Sequence, residues 1–300
     1  MVALIAGPTA SGKTALALRV AKSGNFVIIN ADSAQVYSAL PVLSAQPTAA
    51  EQDTVPHKLF GYLDGLTPCS AARWAADAKA AIAQAHASGA TPILVGGSGL
   101  YIRTLLEGIA PIPQIDPDLR ARIRAMPVNE AYAELQRQDS RIAATLAPND
   151  ISRITRALEV VQSTGRSILE WRKTKTGGIA GEIALRPLLL LPQRTWLYQR
   201  CDARFEMMMQ HGAVPEVEAL LKLDLPDDAP IMRAIGVPEI ADYLNGLSSR
   251  KDAVERGQIA TRQYAKRQFT WFRNQAPPQW QRLETEINDS NIGNFETFFQ

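Results

Sequence analysis

Gly7-Pro8-Thr9-Ala10-Ser11-Gly12-Lys13-Thr14 decides the fold. Its spacing is G-x-x-x-x-G-K-[ST], and it stands in the context that gives this spacing a meaning. The apolar run Val2–Ala6 before it reads as a buried strand, and Leu16, Leu18, Val20 and Ala21 after it recur at helical intervals. Gly7 and Gly12 let the backbone wrap round phosphate oxygens with its N–H groups turned inward. A helix beginning near Lys13 adds the positive end of its dipole. Lys13 adds a mobile cation, and the Thr14 hydroxyl suits a Mg²⁺ that bridges phosphates. Pro8, Thr9, Ala10 and Ser11 complete the phosphate-binding set. A chance match in 300 residues is on the order of one in a hundred, before strand and helix are required.

Phe26-Val27-Ile28-Ile29 is a second apolar strand, ending at Asn30-Ala31-Asp32. Ala71–Ala87 is Ala-rich with Trp74, Ala78, Ile82 and Ala85 on one side, a helix. Pro92–Val95 is a third strand, stopped by Gly96-Gly97. Strands alternating with helices mean an α/β fold of the phosphate-loop NTPase type, a parallel sheet flanked by crossover helices. The pattern changes at Ile112. From there to Gly181 the chain has helical periods and no convincing strand, with Pro111, Pro113 and Pro117 at its start and Gly177, Gly178 and Gly181 at its end. The expected organisation is a core domain, 1–111 plus 182–300, carrying a mainly helical insertion domain, 112–181. Ile183–Leu191 returns to the sheet as a strand. Trp196–Trp271 is helical, with breaks near Pro226–Pro230 and at Gly246. Gln279–Leu283 reads as an edge strand, and the tail after Glu284 has no pattern.

Composition narrows the function. With 46% hydrophobic residues, 21% charged and a formal charge of +2, the chain is globular and not uniformly basic, so a nucleic-acid surface has to be a local patch. Cys69 and Cys201 lie far apart and build neither a disulfide framework nor a CxxC site, as expected in a reducing cytoplasm. Met1–Gly7 lacks a basic n-region and a long apolar h-region, so no signal peptide is expected. The longest apolar run, Leu188–Leu191, is far short of the ~20 residues of a membrane helix.

The loop says di- or triphosphate without saying hydrolysis. Nucleoside triphosphatases carry an acidic residue at the end of a further strand, and here Ile93-Leu94-Val95 ends in Gly96-Gly97-Ser98-Gly99. The first carboxylate after a strand is Asp32, at the edge where α/β sheets bind ligands. It can accept a proton from an acceptor or hold a metal through water, or it can cap a helix together with Ser33; spacing leaves these open. The three glycines around Ser98 suggest close backbone approach to a ligand, or simply a compact turn. Near the C-terminus, Ala260–Arg273 is an unbroken helix on which Arg262, Lys266, Phe269 and Arg273 share a stripe and Arg267 lies nearer Tyr264 and Trp271. Cations interleaved with aromatics suit phosphate contact with base stacking, and equally an amphipathic helix with solvated charges. His57, His86 and His211 have no motif spacing, and Met207–Met209 suits helix packing.

Taken together, several blocks resemble bacterial tRNA dimethylallyltransferases (tRNA isopentenyltransferases). They are GPTASGKT at 7–14, Asp32-Ser33-Ala34-Gln35-Val36-Tyr37, Gly96–Tyr101, Asn149-Asp150 with Arg153 and Arg156–Val160, and Thr261–Gln268 with Thr270-Trp271-Phe272. They occur in the family's order and span most of the chain. The resemblance implies prenyl transfer from dimethylallyl diphosphate to N6 of the adenosine 3′ to the anticodon, position 37 of the tRNA, with Mg²⁺ assisting and diphosphate leaving. It implies a tRNA anticodon stem-loop as partner, with no membrane; the chain is expected to be a cytoplasmic monomer. The phosphate loop, Lys13 included, then holds a prenyl diphosphate, Thr14 serves the metal, and Asp32 is the general base. Ser98 stands where the family has Thr, a residue touching the target nucleotide. Further tRNA contacts are implied for Asp32, Ser33, Ala34 and Gln35, for Arg120, for Ser152, Arg153, Ile154, Thr155 and Arg156, and for Arg262, Lys266 and Arg267. Two departures stand out. Asn30 replaces the Ser of many members, and Val237-Pro238 replaces a Tyr followed by a residue other than Pro, a change expected to shorten a helix. Two other readings share parts of the pattern. A small-molecule kinase using ATP has the phosphate loop, the Asp and a helical lid, but no task for the basic helix. A non-catalytic RNA-binding protein has none for Lys13, Thr14 and Asp32.

Overall fold

β1 (Val2–Ala6) and β2 (Phe26–Asn30) are buried along their whole length, as strands of a sheet covered on both faces must be. The computed structural model describes residues 1–226, 229–287 and 298–299. In chain order the elements are β1, α1 (Lys13–Ala21), β2, α2 (Ala49–Thr54), β3 (His57–Lys58), α3 (Ala71–Ala87), β4 (Thr91–Gly96) and α4 (Gly99–Glu107). β5 (Gly108–Ile109), α5 (Pro117–Arg124), α6 (Val128–Gln138), α7 (Ser140–Ala143), α8 (Ile151–Thr164), α9 (Ile168–Trp171) and β6 (Thr176–Gly177) follow. Last come β7 (Leu185–Leu190), α10 (Arg194–Gln210), α11 (Ala213–Leu221), a 3₁₀ turn at Pro230–Arg233, α12 (Val237–Leu244), α13 (Arg250–Gln275) and β8 (Gln281–Leu283). Residues 227 and 228 of the expected break, and 288–297 and 300 of the tail, lie outside the described residues.

Six strands form one sheet in the order β3-β2-β4-β1-β7-β8, every neighbouring pair parallel. Parallel strands place all their carboxyl ends at one edge, so the loops after β1, β2 and β4 meet there. The expected returning strand is β7, at Leu185–Leu190. Its Pro187 is tolerated because β8 pairs only with Leu188, Leu189 and Leu190 and asks nothing of the missing N–H. The core between sheet and helices joins Ile5, Leu16, Val20, Ile28, Ile93 and Leu188; fully burying an aliphatic of this size contributes about 1.5–3 kcal/mol.

The chain divides into two compact units, 1–105 with 182–300, and 106–181. The second starts upstream of the expected 112 because β5 and β6 pair antiparallel, Gly108 with Gly177 and Ile109 with Thr176. A bridge two residues long carries no periodicity, which is why the sequence showed no strand here. This unit has its own core, in which α5, α6 and α8 contribute Ile123, Leu135, Ile154 and Leu158. Pro238 does not cut α12 short. It sits in the first turn, where a missing N–H costs nothing, and the preceding Gly236 takes φ +97° and donates its N–H to Glu239 at 2.9 Å. Among the described residues, no helix is long and apolar enough to cross a membrane.

Candidate active site

The loop after β1 has the shape its residues imply. A side chain on Gly7 would meet the Leu190 carbonyl at 2.4 Å, and Gly12 takes φ +94°. α1 starts on Gly12 with no side chain capping it, so the loop itself faces the helix's positive end. Lys13 Nζ donates to the Pro8 carbonyl at 2.6 Å. Removal from water pulls the Lys13 ammonium down to about 8; the Asp32 charge opposes this and Arg204 reinforces it. Ser11 is buried, and its hydroxyl has no partner among the described residues. Thr14 is exposed in the first turn of α1.

Helix α10 brings two arginines that no motif announced. Arg204 donates to the Thr9 hydroxyl, and Arg200 Nε donates to the Ala10 carbonyl at 3.0 Å. Loss of hydration pulls Arg204 below its ordinary value as well, against the Cys201 and Asp32 charges. The loop is therefore set between two dehydrated cations, an environment that favours a polyanion.

Asp32 follows β2. Its Oδ1 accepts the Ala34 N–H at 3.0 Å, so the carboxylate does shape its own turn, as the capping alternative required. It also belongs to the ligand site, because its charge acts on Lys13, Arg204 and Tyr264. Asn30, fully buried, aims it: Oδ1 accepts the Asp32 N–H at 2.7 Å, and Nδ2 donates to the Asp32 and Leu59 carbonyls, each at 3.0 Å. A Ser could not make all three bonds. Ser98 accepts the Ser33 N–H at 2.8 Å and donates to the Ser33 hydroxyl at 3.0 Å. Its hydroxyl proton is thus spent on fixing the Asp32–Ser33 turn. Gln35 Nε2 is likewise committed, to the Ser44 and Ala45 carbonyls at 3.0 and 2.7 Å.

The glycines around Ser98 serve packing rather than ligand approach. A side chain on Gly96 would strike Ala31 backbone at 2.1 Å, on Gly97 the Gln268 amide at 2.2 Å, and on Gly99 the Trp271 ring at 2.3 Å. Gln268 and Trp271 belong to α13, the basic aromatic helix. Gln268 donates to the Gly97 carbonyl at 2.9 Å and accepts the Thr9 N–H at 2.8 Å. The cations of α13 divide. Arg262 is paired with Asp202 of α10, Lys266 is exposed, and Arg267 is exposed and lies 5.8 Å over the Tyr264 ring. Burial pushes the Tyr264 phenol up, with the Asp32 charge adding to it, so Tyr264 stays a neutral donor.

Beside these residues lies a cavity of about 580 Å³. Thr9, Asp32, Ser33, Arg204 and Arg267 give it polar walls, and Tyr37, Leu43, Phe205, Met208 and Ile231 give it apolar ones. Such a space suits a ligand with an anionic end and an apolar body. The histidines stand apart: His57 and His211 bond Val55 and Met207 carbonyls through Nδ1, and His86 bonds the Met1 carbonyl through Nε2. Among the described residues, no group of three His, Cys, Asp or Glu could hold a metal. Oxygen donors Thr14 and Asp32 beside a phosphate cradle fit a Mg²⁺ that takes its remaining ligands from phosphate oxygens and water.

The remaining candidate residues lie in the unit 106–181. Ser152 and Arg153 are exposed, with Arg153 paired to Asp150 at 2.5 Å; Arg120 and Arg156 are half-buried beside Glu159. Two residues of this stretch are corrected. Ile154 is 0% exposed in the core of the unit. Thr155 is buried too, its hydroxyl donating to the Ile151 carbonyl at 2.8 Å. On a helix, residues on the inward stripe cannot present side chains to an external partner.

Residues 35–275 match the IPP transferase family. The chain is 57% identical over 294 residues to the tRNA dimethylallyltransferase of Sphingopyxis alaskensis, covering 98% of this chain and 96% of that one. With the tRNA dimethylallyltransferase of Novosphingobium aromaticivorans it shares 61% over 258 residues, 86% and 92% of the two chains. It is similar to the crystal structure of the tRNA isopentenylpyrophosphate transferase from Bacillus halodurans, with a TM-score of 0.71 at 32% identity over 99% of this chain and 95% of that one. It is also similar to a eukaryotic dimethylallyltransferase acting on tRNA, with a TM-score of 0.83 at 26% identity over 97% and 75%. None of this favours a small-molecule kinase. From its phosphate cradle, its Asp32 turn and these likenesses, the chain belongs to the IPP transferase family.

Proposed function

We propose that this chain transfers the dimethylallyl group of dimethylallyl diphosphate to N6 of adenosine 37 in tRNA, beside the anticodon. The observation carrying this is geometric: Asp32, Arg204 and Thr9 of the phosphate loop line one half-apolar cavity, and the Asp32 charge acts on Lys13 and Arg204. An anion site and a carboxylate within one field are what an alkylation with an anionic leaving group needs.

The target adenine leaves the anticodon-loop stack to reach the cavity. Its N6 attacks C1 of the prenyl group, the C1–O bond breaks, and diphosphate departs with the electron pair. The N6 proton passes to the Asp32 carboxylate. An adenine amine is a weak nucleophile because its lone pair is delocalised, so a base aimed at it counts most where water is scarce. Lys13, Arg204 and the loop amides of Gly7–Thr14 stabilise the charge gathering on the diphosphate. Thr14 would hold Mg²⁺, which when bound supplies further positive charge at the diphosphate oxygens. Ser98 and Asn30 keep the Asp32 turn in place. Arg267, with Tyr264 beneath it, meets the RNA, as do Lys266 and the exposed residues of the helical unit. The chain works as a monomer in the cytoplasm.

The test offers unmodified tRNA with labelled dimethylallyl diphosphate or with γ-labelled ATP. Prenyl label on tRNA, mapped to the adenosine 3′ to the anticodon, is expected. Label transferred from ATP, or prenyl label on another base, would overturn the assignment.

A further inference from the structure

Glu159 lies on α8 with its side chain 1% exposed, and three arginines converge on it. Arg124 Nε donates to Oε1 at 3.0 Å, and Arg156 Nη1 donates to Oε2 at 3.2 Å. Arg120 Nε stands 3.7 Å from Oε2, and this buried nitrogen has no hydrogen-bond partner among the described residues. Arg120 and Arg124 are one turn apart on α5; Ser152, Arg156 and Glu159 follow one another on one face of α8. The seam between these two helices therefore holds one carboxylate against three guanidiniums. The guanidinium side chains are 40%, 61% and 41% exposed in the order Arg120, Arg124, Arg156.

Stability does not demand this arrangement. Apolar residues in place of the whole cluster would fill such a seam at little loss, because a buried ion pair returns little more than its desolvation takes. Neutralisation does not explain it either. Elsewhere on this unit Arg137 pairs with Glu134 and Arg153 with Asp150, one to one, and Glu170, which takes both Arg141 and Lys173, is part-exposed where Glu159 is buried. Here an excess of two positive charges is fixed in place. A flexible arginine loses side-chain freedom when it binds an anion; one already clamped loses less. A cluster with excess positive charge, part-exposed arginine side chains and a buried clamp fits the phosphodiester backbone of a nucleic acid.

We propose that Glu159 is a positioning residue that presents Arg120, Arg124 and Arg156 as one preorganised platform for RNA phosphates, with Arg124 a further contact. This rests on the tRNA reading above.

The test exploits an opposition of signs. Glu159→Gln raises the net charge of the platform by one, so electrostatics alone would tighten RNA binding. Loss of positioning weakens it. The expected result is a five- to tenfold rise in Kd for unmodified tRNA and in KM for tRNA. Turnover at saturating tRNA and KM for dimethylallyl diphosphate stay as in the wild type. Glu159→Asp keeps the charge but is one methylene short, and is expected to weaken binding likewise. Arg124→Ala, at an exposed position, lowers the slope of log Kd against log salt by about one. Equal or tighter binding by Glu159→Gln, or an unchanged slope for Arg124→Ala, would overturn the proposal. Wild-type protein that binds no tRNA would bring down the proposed function, and this inference with it.

Discussion

Thr9 and Gln268, 259 residues apart, are hydrogen-bonded: the Thr9 N–H donates to Gln268 Oε1 at 2.8 Å. The same amide donates to the Gly97 carbonyl at 2.9 Å, so one side chain from α13 ties the phosphate loop to the loop after β4. Gln268→Glu keeps the size and loses the donor, setting a carboxylate against the Gly97 carbonyl. Losing a buried bond and leaving its partner unsatisfied costs about 1–3 kcal/mol. A lower urea midpoint is expected, together with a fall in kcat/KM beyond what the unfolded fraction accounts for. Unaltered kinetics in the folded variant would show that the tie does not serve the site.

Asp32→Asn should keep the turn, because an amide oxygen can still accept the Ala34 N–H. It removes the proton acceptor. Turnover is expected to fall by about 10²–10⁴-fold, the range of general base catalysis, with tRNA affinity near that of the wild type. Steady-state rates beside filter binding separate the two effects; unchanged turnover rejects the base.

Arg204→Gln and Lys13→Ala each remove one of the two dehydrated cations of the cradle. Both should raise KM for dimethylallyl diphosphate and lower turnover, since charge on the diphosphate grows as it leaves. Neither should alter Kd for tRNA. If Arg204→Gln leaves prenyl-diphosphate kinetics intact, Arg204 serves only to brace Thr9.

His57 supplies a pH dependence of stability. Burial holds its imidazole below its ordinary value of about 6.5, while the Val55 carbonyl and the Glu51 charge pull the other way. A histidine with a lowered folded pKa binds protons more readily when unfolded. Its share of stability is therefore present above about 6.5 and is lost as the pH falls below that value towards the lowered one. Denaturant midpoints should drop between pH 7.5 and pH 5, and His57→Gln should flatten that drop. Equal slopes for the two proteins would rule out His57 as the source.

Local chemistry made much of this protein legible in its sequence. Gly7–Thr14 forces a phosphate loop because only glycine tolerates the close approach to Leu190 and the left-handed turn at residue 12, and apolar runs buried on both faces force β1, β2 and β4. Asp32 was placed at the ligand edge by parallel strands alone. What tertiary structure decided are the relationships that no spacing encodes. Arg204 and Arg200 reach the loop because β7 lies beside β1 and α10 follows it, a neighbourhood set by sheet order. The glycines of the Ser98 turn proved to be room for Gln268 and Trp271, which become their neighbours only when α13 packs. Ile154 left the set of surface residues for the same reason: a helix's period tells which residues share a face, and only packing tells which face turns inward.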